Sequence, residues 1–425
     1  MHKEAGDPEV YNKTALHWGA EKGHSGVVIK LLNTGVNVDI RDDRGRTALH
    51  QVCFFGHAVV VVMLIGKGSI IDAVDKNGFT PLMSASQGGH DNLVVLLLDA
   101  GANIGLKDVK GRAAIHYAST HGRCSVVELL ASNNADIKIK DNGGCQPIKF
   151  AARSGHDSIV TKLIQMGVDV NCKDNEGCTS LIAASHEGHD KVVKILLDNK
   201  AQVGIKDITG YTALCAASMK GHAAIVHLLI THGASVNAID GVTPLLFASA
   251  GGKEELVTLL ILYGANIEAV SSGGESSLLV ACKAGHVSTA NILLEEGANP
   301  HTCDCEGNTP IQVAIDKGYT ELVSLMSNPP TERLHLMTLH EVASESSSST
   351  KYSPSGESKS PVSTTTSNLE CVVCMDDPRT STVLTLPCRH AVTCQRCMDD
   401  MEARGDKRCP LCRTEIKQCI PIFIN

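Results

Sequence analysis

The amino-acid sequence predicts an all-α solenoid of helix-turn-helix repeats with β-turn fingers, followed by a small zinc-stabilised domain. Three observations predict it. A phrase of the type T-P-L-x-x-A starts at Thr14, Thr47, Thr80, Ala113, Gln146, Thr179, Thr212, Thr243, Ser276 and Thr309, each step 33 residues except the 31 between Thr212 and Thr243. A Gly-His pair and an apolar run follow it in the same phase, as in Gly89-His90 and Leu93–Leu98. Near the C-terminus, Cys371, Cys374, Cys388, His390, Cys394, Cys397, Cys409 and Cys412 form the pattern C-x2-C-x13-C-x-H-x3-C-x2-C-x11-C-x2-C.

Each part of the repeat has a physical task. Thr can cap the free N–H groups of a first helix, and Pro is tolerated in its first turn. Gly permits the left-handed turn that ends this helix. The second helix is apolar along one side and closes on another Gly, such as Gly101. An Asp- and Gly-rich turn such as Lys107–Gly111 then leads to the next unit. One unit cannot bury its own apolar faces, whereas stacked units can. Units four, five and nine depart from Thr-Pro with Ala113-Ala114, Gln146-Pro147 and Ser276-Ser277, and weaker junctions are expected there. Asp240-Gly241 replaces the longer Asp-x-x-Gly turn, which predicts one shortened finger.

The period, the Thr-Pro-Leu phrase, Gly-His and the Leu-rich second helix resemble ankyrin repeats. The resemblance implies an ankyrin-repeat solenoid of ten units over residues 7–328, with a groove that binds a protein partner. The Gly-His histidines, His24, His57, His90, His156, His189, His222 and His286, are read as structural. His301, Cys303 and Cys305 lack a fourth ligand and are read as a repeat turn. Trp18 is read as packing.

Residues 329–368 combine a capping helix with a disordered Ser/Thr-rich linker. Thr331–Ala343 can form the helix, which either covers the last repeat or docks a partner. Ser344–Asn368 cannot build a core, and a chain of that length spans roughly 25–30 Å.

Thiolate and imidazole are ligands of tetrahedral zinc, and eight of them suffice for two closed, structural sites. Two pairings are open on spacing alone, interleaved or sequential. The ligand order resembles a RING finger, here residues 369–413. That resemblance implies interleaving, with Cys371, Cys374, Cys394 and Cys397 on the first zinc and Cys388, His390, Cys409 and Cys412 on the second. It further implies a ubiquitin ligase that binds a ubiquitin-conjugating enzyme through Val373, Met401 and Pro410. Many members carry Trp at the Met401 position. Arg413 stands where active members use Arg to bridge conjugating enzyme and ubiquitin. The tail, 414–425, is similar to the C-terminal RINGs of inhibitor-of-apoptosis proteins, which dimerise. By that similarity it is a dimerisation tail, and Phe423 contacts the donor ubiquitin in trans. An ankyrin array ending in a RING is also similar to mind bomb ligases.

Composition bounds the alternatives. The chain has 425 residues, a net charge of −8 and a pI near 6.2, with no basic, aromatic-rich stretch; a nucleic-acid partner is not expected. The longest apolar run, Ala58–Ile65, is too short to span a bilayer, so no membrane partner is expected. No phosphate loop or dinucleotide fingerprint is present. Of 17 cysteines, those outside the zinc pattern are scattered, and the N-terminus lacks an apolar signal core, which together predict a cytoplasmic or nuclear protein with reduced thiols. Two functions follow: a RING-type ubiquitin ligase with a substrate-recruiting groove, or a non-enzymatic ankyrin scaffold whose RING is a zinc-dependent dimerisation module.

Overall fold

The computed structural model describes residues 13–237 and 241–327, together with three strands at 382–386, 390–394 and 418–422. The chain divides into two units, Met1–Ser344 and Glu345–Asn425.

In the first unit, helices pair off from α1 (Ala15–Glu21) and α2 (Ser25–Asn33) to α19 (Pro310–Asp316) and α20 (Thr320–Ser327). Odd-numbered helices pack side by side in one row, and even-numbered helices form a second row behind them. The reason is in the phrase. Its third residue, as in Leu16, Leu49, Leu82, Ile115 and Ile148, is buried between the rows; so are Val28, Val61, Val94 and Val127 of the second helices. Among the described residues no helix is long and apolar enough to cross a membrane.

The helix starts behave as their side chains dictate. Thr80 Oγ1 accepts from Met83 N at 3.2 Å, and Ser276 Oγ does the same from Leu279 N, so the Ser-Ser variant is capped like Thr-Pro. Ala113 has no hydroxyl, but His116 Nδ1 accepts its N–H at 3.0 Å. Gln146 makes no cap, and its Oε1 is buried without a partner. Of the three junctions expected to be weak, only that one lacks a substitute.

Between units the chain forms fingers. In most of them an aspartate folds the turn: Asp108 Oδ1 accepts from Lys110 N at 2.9 Å and Arg112 N at 2.8 Å, and Ser271 Oγ plays this part in one finger. Neighbouring fingers are tied by main-chain bonds such as Val109 N to Asn77 O, 2.8 Å, and Asn142 N to Lys110 O, 2.9 Å. Gly241 keeps the left-handed turn conformation, with φ at 75°. The shortened finger expected at Asp240 lies outside the described residues, as does the helix expected at Thr331–Ala343.

The second unit contains an antiparallel sheet of order β2-β1-β3, from β1 (Thr382–Leu386), β2 (His390–Cys394) and β3 (Gln418–Ile422). β1 is central. Its register with β2 shifts between Val383 and Leu384, and Thr382 pairs with Ile422 at the far end of β3. The C-terminal stretch thus supplies an edge strand within its own chain. Pro421 is compatible with that place, because an edge strand can spare a donor.

Candidate functional site

The chain carries two candidate sites: the row of first helices with its fingers, and the zinc-ligand module.

The histidines explain how the row is held in shape. His17, His50 and His116 occupy the fourth place of the phrase. His50 Nδ1 accepts from Thr47 N at 3.1 Å, and its Nε2 donates to Phe79 O of the next unit at 2.8 Å. His116 links Ala113 to Cys145 O in the same way. Burial, the largest cause, holds both imidazoles below their usual pKa, despite the backbone acceptors that favour charge. The Gly-His histidines point the other way along the array. His57 donates to Glu21 O at 2.9 Å, His156 to Thr120 O at 2.9 Å and His189 to Arg153 O at 3.0 Å. Their structural reading is therefore supported by geometry. Three units lack this histidine. Arg123 replaces it and donates through Nε to Gln87 O at 3.2 Å; Lys253 and Tyr319 lie against Gly221 and Gly285 in the equivalent places.

The second carboxylate oxygen of several finger aspartates reaches the first helices. Asp108 accepts from Tyr117 OH, Asp174 pairs with Lys149, and Asp304 pairs with Lys283 at 2.7 Å. The ammonium of Lys283 holds the Asp304 carboxyl well below its usual range. Burial opposes the charge of Lys149, yet the bond to Asp174 leaves its pKa above the ordinary value.

Aromatic residues are scarce, at 3% of the chain, and they concentrate here. The place after the phrase histidine holds Trp18, Tyr117, Phe150 and Phe247. All four are half-buried. Phe79 meets Tyr117 edge-on at 4.7 Å, Tyr211 meets Phe247 at 5.0 Å, and the Arg112 guanidinium lies 4.9 Å over Phe150. Trp18 carries the Lys13 ammonium 4.7 Å over its ring, so it is more than core packing. Phe54 and Phe55, at the end of α3 (Ala48–Phe55), are 42% and 44% exposed. Sequence reasoning missed this strip, although its signal was the same 33-residue phase. Part-exposed aromatics and Arg on a rigid face are the usual anchors of protein recognition.

Several cysteines of the array are held as thiols by burial. The array's cysteines are unpaired, and burial pushes Cys145 and Cys172 up to about 11 and Cys282 up to about 12, so they stay as thiols. Among the described residues no group of three His, Cys, Asp or Glu could hold a metal. Cys303 and Cys305 are exposed in the finger before α19.

In the second unit, His390 begins β2 and Cys394 ends it. They pair with Thr385 and Thr382 of β1, three strand steps or about 10 Å apart. A C-x2-C knuckle folds two ligands onto one ion with bonds of about 2.0–2.3 Å. The donor set, seven thiolates and an imidazole, suits zinc. Cys371, Cys374, Cys388, Cys397, Cys409, Cys412, Val373, Met401, Pro410, Arg413 and Phe423 lie outside the described residues.

Comparison with known proteins agrees with both units. The model of ankyrin repeats (3 copies) matches residues 2–75, 60–141, 115–207, 148–240, 182–271 and 245–333. The model of the zinc finger of C3HC4 type (RING finger), a zinc-binding domain, matches residues 367–419. The probable E3 ubiquitin-protein ligase LUL4 of Arabidopsis thaliana is 37% identical over 59 residues, 14% of this chain and 16% of that protein. The E3 ubiquitin-protein ligase RNF26 of Mus musculus is 39% identical over 57 residues, 13% of each chain. The chain thus spans about a sixth or less of the length of these curated relatives. The human ASB11 ankyrin repeat domain superposes with a TM-score of 0.49 at 27% identity, over 52% of this chain and 99% of that one. The repeat matches extend over most of the chain: it belongs to the ankyrin-repeat family and carries a C-terminal RING-type zinc finger.

Proposed function

We propose that the chain is a RING-type ubiquitin-protein ligase whose ankyrin groove recruits a protein substrate. The observation that carries this reading is the eight-ligand pattern inside the RING match at residues 367–419, the region shared with named ubiquitin ligases. The zinc is structural and interleaved, with Cys371, Cys374, Cys394 and Cys397 on one ion and Cys388, His390, Cys409 and Cys412 on the other. Val373, Met401 and Pro410 contact the conjugating enzyme, and Arg413 positions its ubiquitin. A substrate lysine nitrogen attacks the thioester carbonyl; the isopeptide bond forms, the enzyme's thiol leaves, and the lysine loses its proton. This chain forms no covalent bond, so its contribution is positioning. The RING acts as a homodimer, with Phe423 touching the partner's donor ubiquitin. The reduced thiols of the array suit the cytoplasm or nucleus.

The test is discharge of ubiquitin from a panel of loaded conjugating enzymes to free lysine. Acceleration by the wild-type chain, lost in Arg413→Ala, is the expected result. No acceleration by any enzyme of the panel would leave a zinc-dependent scaffold as the better reading.

A further inference from the structure

The fingers are electrostatically unequal. Four fingers between Arg41 and Cys145 (residues 41–46, 74–79, 107–112 and 140–145) carry eight Lys and Arg against five Asp. Four of those aspartates are the turn residues, each with an oxygen accepting two backbone N–H groups. The bonds leave those carboxylates charged, so the four fingers keep an excess of three cations, and Arg41, Lys76, Lys110 and Lys140 are exposed. At the other end, the fingers 270–275 and 303–308 carry Glu275, Asp304 and Glu306 and no Lys or Arg. Lys283, on α17 (Ser277–Ala284), pairs with two of those acids and offsets only part of the excess. Tyr117 and Phe150 lie at the basic end of the same face.

We propose that the groove binds an extended protein segment that is acidic, with interspersed apolar side chains, where it meets the fingers from Arg41 to Cys145, and basic where it meets Val270–Asn308. The proposal rests on reading the groove as the substrate-binding face. Complementary charge at both ends fixes the direction of the bound segment, since a reversed segment places like charges together. A uniform polyanion such as duplex DNA gains at one end and is repelled at the other, which favours a protein segment.

The experiment uses the full chain and three fluorescein-labelled 24-residue peptides of one composition. One has a Glu/Leu half followed by a Lys/Ser half, one has the halves exchanged, and one is scrambled. Fluorescence anisotropy is read at 50 mM and 300 mM salt. One block order is expected to bind about tenfold tighter than the scrambled peptide, with the preference weakened by salt. Lys76→Glu/Lys110→Glu/Lys140→Glu is expected to lose that preference while keeping its helical circular dichroism. Equal affinity for all three peptides overturns the proposal, as does stronger binding to a 20-base-pair duplex or to phosphatidylserine vesicles. If the triple variant misfolds, the block-order preference of the wild-type chain decides alone. Discharge to free lysine, measured on the same preparations without peptide, scores the ligase reading separately. Intact discharge with equal peptide affinities sinks only the bipolar groove.

Discussion

The imidazole of His90 fills the space that a Cβ on Gly56 would need: an added carbon there would lie 2.5 Å from its Cε1, while its Nε2 donates to Phe54 O at 2.9 Å. Gly56 is also left-handed, with φ at 89°. Two penalties therefore act on one substitution. Gly56→Ala is expected to cost about 2–3 kcal/mol, part from the left-handed backbone and part from the displaced hydrogen bond. Urea unfolding checks it; a cost under about 1 kcal/mol would mean the ring moves aside freely.

Gln146 offers a gain. It occupies a cap position without capping, next to Pro147 at the start of α9 (Pro147–Arg153). Gln146→Thr is expected to stabilise the array by about 1 kcal/mol, the usual worth of an N-cap. The midpoint of thermal unfolding should rise, and a fall would show that Thr cannot reach its N–H there.

Lys200 is a second place for gain. It takes φ 67° just after α12 (Asp190–Asp198), where other units use Gly. Asn134 does the same at φ 63° after α8 (Cys124–Ser132), but Asn tolerates this region better than Lys. Lys200→Gly should stabilise by about 0.5–1 kcal/mol, and Asn134→Gly by less. The order of the two midpoints is the check.

The histidines set a pH dependence. His50 and His116 are held below the ordinary value of 6.5 by burial, and His50 Nδ1 is an acceptor that a proton would convert to a donor. The folded chain therefore binds fewer protons than the unfolded chain. This stability is present above pH 6.5 and is lost as pH falls toward the folded pKa, at up to about 1.4 kcal/mol per pH unit for each ring. His50→Gln/His116→Gln should flatten the decline between pH 6.5 and 5 in denaturant titrations. An unchanged slope would assign the acid sensitivity to other groups.

Zinc removal should separate the two units. Ligand binding and folding are one event in such domains, so a strong chelator is expected to abolish the RING transition. The helical transition of the array should stay at the same midpoint. Calorimetry resolves the two; a shift of the array transition on chelation would show that they are coupled.

The fold was legible because repetition multiplies weak signals. Thr at the cap, Leu16 and its equivalents in the core and Gly at the turn each recur in phase, and each acts within its own unit. What was not legible acts between units. The repeat register puts Arg123, Lys253 and Tyr319 in the histidine slot, but that they lie against Gly89, Gly221 and Gly285 is visible only in the fold. Likewise Asp108 and Tyr117 meet through the fold of the finger. The aromatic strip escaped notice because rings are sparse, and a ring in only some of the units looks like ordinary packing. The zinc ligands were legible for another reason: the chemistry of thiolate restricts its spacing far more than packing restricts an apolar side chain.

Each Gly-His bond, from His57 to Glu21 as from His286 to Ala250, joins residues 36 apart. The single 31-residue step falls where Lys253 replaces the histidine. Arg123 and Tyr319 also depart from the pattern, but the six histidine joints are the same joint repeated. A whole unit can thus be duplicated or deleted among them without rewriting any donor or acceptor, and the length of the array is a quantity that selection can change independently of its local chemistry.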